Sequence, residues 1–199
     1  MQLAVSQQFT SCRACYSSKR FSKMAVRGKP KKLDSEGLWE YALRVLGQRA
    51  HSANEVKQKL SKRSESGADV ADVMSKLRDY GFTDDTKFSE AFASSRLQNR
   101  GFGRFRVLRD LRSKSVSGNI AQAAVEKTFA GTDEVELIQR FLDRKYRGKK
   151  LDEFLKEEKN VASAYRRLRT AGFSSGNSLL ILKRYARQVD DWSGLEEDA

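Results

Sequence analysis

The sequence predicts an all-α protein in which three tandem three-helix repeats form an elongated, curved array. Three observations carry this expectation. Across residues 34–189 apolar side chains return with the period of a helix face, and no stretch sustains the alternation of a half-buried strand. A four-residue apolar pair recurs as Val56/Leu60, Val107/Leu111 and Ala164/Leu168, with the leucines 51 and 57 residues apart. That is the mark of a repeated supersecondary unit, which buries little alone and stacks on its neighbours. A single proline in 199 residues argues against a linker-rich or all-β chain.

The segments follow in order. Residues 1–33 hold eight Lys/Arg and no acid and are rich in Ser, Thr and Gln, the composition of an organelle transit peptide. A basic arm that touches nucleic acid is the alternative. Leu3-Ala4-Val5 is too short for the apolar core of a secretory signal, about 7–15 residues. No run approaches the roughly 18 apolar residues of a membrane span. Cys12-Arg13-Ala14-Cys15 has metal-like spacing, but zinc needs four ligands and the chain adds only His51.

The repeat domain is expected over 34–189, with copies at about 38–84, 85–131 and 134–189, and an acidic tail over 190–199. In copy one, Leu38, Tyr41, Ala42, Val45 and Leu46 make the first helical stripe. Ser52 with Glu55 three residues on reads as a capping box, and it opens the Val56/Leu60 helix; His51 falls in the loop or helix end before it. Val70, Val73, Met74 and Leu77 make the third stripe, stopped near Gly81. Asp84 or Asp85 caps the next helix, with Phe88, Ala91 and Phe92 inside. Gly101-Phe102-Gly103 lacks the third glycine and preceding strand of a dinucleotide motif, and reads as a helix stop and restart. The turns Val116-Ser117-Gly118-Asn119 and Phe173-Ser174-Ser175-Gly176-Asn177 match between copies two and three. Copy three is longer, and Arg147–Lys159 is its expected insertion.

No catalytic constellation is present in the sequence. It has one histidine, no phosphate loop with its Lys-Ser/Thr and no Gly-x-Ser-x-Gly elbow, so an enzyme, a cofactor and a metal are not expected. The signal is charge. The chain carries +13, and the body 34–189 is +10 by itself, which favours a polyanion or an acidic partner. Residues 34–85 sum to −2, 86–131 to +6 and 134–189 to +7. On a wheel of residues 104–114, Val107, Leu108 and Leu111 take the buried side. Arg106 and Arg109 point outward, Arg112 flanks them, and Arg104 falls near the buried side with its stem packed. Through the matching leucines, Arg109 corresponds to Arg166 and to Gln58, and Arg112 to Arg169 and to Ser61. The basic face therefore belongs to copies two and three. The full set of candidate contact residues is Arg96, Arg100, Arg106, Arg109, Arg112, Lys114, Arg166, Arg167, Arg169, Lys183 and Arg184. Phe102, Phe105, Tyr146, Tyr165 and Tyr185 are interleaved with them and are read mostly as core.

These residues carry a resemblance. His51-Ser52-Ala53-Asn54-Glu55-Val56-Lys57-Gln58-Lys59-Leu60, Gly81-Phe82-Thr83-Asp84-Asp85, Gly103-Arg104-Phe105-Arg106 through Leu111 and Lys114, and Tyr165-Arg166-Arg167-Leu168 through Gly172-Phe173 stand in the order and spacing of the RecX family. The resemblance covers about residues 38–187. Lys114-Ser115-Val116 departs from it, since the family usually has Lys-Gly before the Val/Ile. The resemblance implies a non-enzymatic regulator, mainly an inhibitor, of a RecA-type recombinase. It would lie in the groove of the nucleoprotein filament and damp ATP hydrolysis and strand exchange. Contact with single-stranded or duplex DNA would be secondary, the state monomeric, and no membrane involved. With the leader, the expected place is a chloroplast or mitochondrion, or the cytoplasm if residues 1–33 are not a transit peptide. The alternative is a stand-alone helical DNA-binding module.

Overall fold

Ten α-helices and one π-helical turn run through residues 32–186, the part of the chain that the computed structural model describes. The leader up to Lys31 and the acidic tail lie outside the described residues. Apart from an isolated bridge between Leu33 and Ser64, the described residues hold no β-pairing, as the helical periodicity predicts.

Copy one is α1 (Ser35–Gln48), α2 (Ala53–Ser61) and α3 (Gly67–Asp79). Each start is capped by a side-chain oxygen: Asp34 accepts from the Gly37 N–H, Ser66 from Ala68, and Ser52 forms the predicted capping box with Glu55. Helix α3 stops because Gly81 takes a left-handed φ of 71°, and the Phe82 N–H turns back to the Leu77 carbonyl at 2.8 Å.

Copy two is α4 (Asp85–Ser95), α5 (Arg104–Ser113) and α6 (Gly118–Phe129). Asp84 caps α4 through the Thr86 and Lys87 N–H groups. Helix α4 then runs into a π-turn over Arg96–Arg100, which ends on left-handed Gly101. Copy three is α7 (Glu134–Lys145), the short α8 (Leu151–Phe154), α9 (Glu158–Ala171) and α10 (Ser175–Tyr185). The insertion Arg147–Lys159 is not a bare surface loop. Phe154 stacks on Tyr146 at 4.9 Å, Leu155 is fully buried, and the Asn160 side chain donates to the Phe154 carbonyl at 2.9 Å. It closes the core over the start of α9.

The repeated pairs are all core: Val56, Leu60, Val107, Leu111, Ala164 and Leu168 are at most 1% exposed. Stacking is uneven, however. Copies two and three share one apolar cluster, running from Phe88 and Leu111 through Val116, Ile138 and Leu168 to Leu182. Copy one keeps its own, built on Leu38, Ala42, Val56, Leu60, Val70, Val73 and Leu77.

Candidate functional site

The basic face is positioned by the middle helices α2, α5 and α9, which meet end to end. Gly103, at the start of α5, has no capping side chain. Its N–H instead donates to the Ala171 carbonyl at 2.9 Å, and the Phe105 N–H donates to the Gly172 carbonyl at 3.2 Å. One repeat earlier, the Ser52 hydroxyl at the start of α2 donates to the Lys114 carbonyl, at the end of α5, at 2.7 Å. At the α9–α5 junction the carbonyl end of one middle helix thus accepts from the N–H end of the next, whereas at the α5–α2 junction the end carbonyl of α5 accepts from a side-chain hydroxyl. Asp85 adds to the second junction by accepting from the Ala53 N–H at 2.8 Å.

These junctions sort the predicted arginines. Arg106 does not point freely outward. Its Nε donates to Asp110 at 2.9 Å, its Nη1 to the Thr170 carbonyl at 3.2 Å, and its guanidinium lies over Phe102. Arg109 is exposed, yet its Nη2 donates to the same Thr170 carbonyl at 3.2 Å. Arg104, expected to pack its stem on the buried side, is exposed. The wheel misplaces Arg106 because it knows only one helix. The end of α9 covers the Arg106 side, while Leu108, beside Arg104, is only half-buried at an open groove.

Others are also engaged. Lys114 reaches across to Glu55 at 2.9 Å. Arg96, turned inward by the π-turn, lies over Phe92 and 3.9 Å from Asp110. Arg169 donates to the Phe173 carbonyl at 2.9 Å and fastens the end of its own helix. Arg112, Arg166, Arg167 and Arg184 are exposed, as is Lys183; Arg167 rests over Tyr146. Exposed Arg100 keeps its side chain in solvent while its carbonyl accepts from Arg144. Arg166 and Thr170 stand one turn apart on α9, joined by a bond from the Thr170 hydroxyl to the Arg166 carbonyl at 2.8 Å. Arg109 thus reaches the backbone of the α9 turn that also carries its equivalent, Arg166.

The electrostatics are strongest at the other junction. Burial works against the charge of Glu55, but the Lys114 and Arg49 hydrogen bonds overcome it and hold the carboxyl at about 2. His51 is buried against Glu55, and burial, with Arg49 nearby, lowers its pKa. This histidine sits in the loop before α2, where the sequence puts it. In copy three, burial likewise opposes the charge of Glu134, yet bonds from Ser174 and Asn177 lower its pKa. No group of His, Cys, Asp and Glu among the described residues is arranged to hold a metal ion. No helix among them is long and apolar enough to cross a membrane.

The aromatics divide as well. Tyr146 and Tyr165 are buried, Phe102 and Tyr185 half-buried, and Phe105 is 54% exposed. Sequence reasoning misses a second exposed group. Trp39, Tyr80 and Phe82 pack ring to ring at 5.8–6.3 Å on copy one, with Tyr80 70% exposed. The signal for it is that Tyr80 and Phe82 flank the Gly81 stop, where neither lies on a buried stripe.

Models of the RecX family match this chain in two places: the first three-helix domain over residues 39–77 and the second over 84–125. A protein from Pelodictyon phaeoclathratiforme named regulatory protein RecX is 31% identical over 112 residues, 56% of this chain and 68% of its own. Namesakes from Halorhodospira halophila and Photobacterium profundum are each 34% identical, over 46% and 58% of this chain. The matched stretch is 56% and 42% of their own lengths. The crystal structure of RecX from Lactobacillus salivarius superposes with a TM-score of 0.57 at 19% identity, covering 76% of this chain and 96% of that one. A second crystal structure of a regulatory protein RecX gives 0.55 at 18% identity, covering 76% and 78%. At such identities the two structures speak for the fold.

Proposed function

Given that the chain belongs to the RecX family, we propose that it regulates a RecA-type recombinase, chiefly as an inhibitor that lies along the nucleoprotein filament. One observation carries this reading beyond family membership. Arg109 and Arg166 hold equivalent positions in two copies and are both exposed, with exposed Arg112 further along α5. Cations repeated on stacked units suit a polyanion that itself repeats, since summed charge governs such binding. The role is non-enzymatic, the chain acts as a monomer, and contact with DNA is secondary to contact with the recombinase. Residues 1–33 take it to an organelle.

The test is a titration of the chain into a RecA-type recombinase turning over ATP on single-stranded DNA. ATP hydrolysis and strand exchange fall. Arg112→Ala with Arg166→Ala weakens binding and flattens its salt dependence, by about 0.7–0.9 in the log–log slope for each phosphate that is no longer neutralised. Gln58→Ala, at the position where copy one lacks the cation, changes little. Unaltered hydrolysis and exchange across all ratios overturn the reading. Tight, salt-sensitive duplex binding with no recombinase effect would make the chain a DNA-binding module instead. A fusion of residues 1–35 to a fluorescent protein tests the address, and cytosolic fluorescence refutes it.

A further inference from the structure

Between α5 and α6 lies an open groove of about 430 Å³. Leu108, Val125 and Phe129 line it, and half-exposed Phe105 forms its lip. Arg104, Leu108 and Arg112 follow one another at four-residue steps, so they form one stripe along this edge of α5. Arg104 and Arg112 are exposed, and neither makes an ion pair among the described residues. The acid on the opposite wall, Glu126, is hydrogen-bonded to Gln122 at 2.9 Å. Glu134 feels Arg104 only through space while it binds Ser174 and Asn177. The groove therefore suits a large apolar side chain flanked by carboxylates.

One stretch outside the described residues has that composition. Val189, Trp192 and Leu195 are set three apart among Asp190, Asp191, Glu196, Glu197 and Asp198. The acid-free leader does not have it. The reach is sufficient. Thr132, before α7, lines the groove, and α10 runs alongside α7, with Asn177 bonded to Glu134 and Tyr185 to Gln139. The end of α10 is thus about 10 Å along α7 from Thr132 at 1.5 Å per residue. Trp192 is six residues beyond Ala186, a span of up to about 20 Å.

We propose that residues 189–198 dock in the α5–α6 groove of their own chain, with Trp192 against Phe105 and Leu108 and the carboxylates facing Arg104 and Arg112. The docked tail screens that edge of the basic face. This last consequence, unlike the docking, rests on the filament-binding role proposed above.

The full chain carrying Trp39→Phe tests the docking, because Trp192 is then its only tryptophan. At low salt, indole emission is blue-shifted and acrylamide quenching is several-fold weaker than in a free 187–199 peptide. High salt, Leu108→Lys, or amides in place of the five tail acids restores the peptide's values. The amide variant leaves the folded body untouched, so a folding defect cannot imitate its effect. Peptide-like quenching at low salt overturns the proposal, as does protection that survives both Leu108→Lys and the amide changes. Protection that grows with protein concentration assigns the groove to a second copy's tail and also overturns it. Because the readout is Trp192 alone, it is independent of any recombinase assay.

Discussion

Ser115 and Gly172 occupy the same place in successive repeats, the residue that turns the chain back after a middle helix. In both, the next N–H reaches the repeated leucine carbonyl: Val116 to Leu111 at 3.3 Å, Phe173 to Leu168 at 3.2 Å. That turn needs a positive φ, and Ser115 supplies 58° where Gly172 supplies 90°. The Lys114-Ser115 departure from the usual Lys-Gly therefore keeps the geometry and bears the Cβ strain, about 1–2 kcal/mol. Ser115→Gly should raise stability by about 1 kcal/mol, less than the strain because glycine also loosens the unfolded chain. Urea unfolding checks it. Gly172→Ser goes the other way and further. A Cβ at Gly172 overlaps the Arg106 backbone, and one at Gly103 overlaps the Gly172 carbonyl. Gly172→Ser or Gly103→Ala should each cost about 2–4 kcal/mol, in the upper range for a single substitution.

At the scale of the helix, a junction is a set of end groups that must be satisfied. The α9–α5 junction has no side-chain cap of the usual kind and relies on two backbone bonds plus Arg106 and Arg109. Arg106→Ala removes the bonds to Asp110 and Thr170 and should destabilise by about 1–2 kcal/mol. Arg112→Ala, whose side chain makes no bond among the described residues, should cost the folded body no more than about 0.5 kcal/mol. The α5–α2 junction depends on Glu55. Its folded pKa, about 2, lies below the ordinary 4.5. Its contribution is therefore complete above pH 4.5 and lost as pH falls towards 2. Glu55→Gln should be less stable than the parent at neutral pH, should lose less on acidification through that window, and should converge with it near pH 2. Denaturant midpoints measured at fixed pH values show whether the curves close. These junctions mark the limit of legibility. Ser52, Asp84 and the Val/Leu pairs follow from local spacing and could be read directly. The inward turn of Arg106, the cross-repeat bond of Asp85 and the π-turn at Arg96 depend on which helix end lies alongside. A one-helix periodicity holds no record of that neighbour.

For the whole molecule, the division of the core is the deciding feature. Copies two and three bury their leucines in one cluster, while copy one buries Leu38, Leu60 and Leu77 in another. What joins copy one to copy two is polar and local: Ser52 to Lys114, Lys114 to Glu55, and Ala53 to Asp85. Repeat proteins hold together by interface terms between neighbours, and an interface without shared apolar burial couples its two sides weakly. The basic repeats and the acidic first repeat then form separate units of opening. Leu60→Ala should cost about 2–5 kcal/mol, and amide exchange should speed up across α1, α2 and α3 while α4 through α10 keep their protection. Leu168→Ala, of the same size, should speed exchange in copies two and three together. The comparison is decisive because both leucines are fully buried and hold the same place in their repeats. If Leu60→Ala deprotects all ten helices alike, the polar junction couples as tightly as a core, and the molecule opens as one unit.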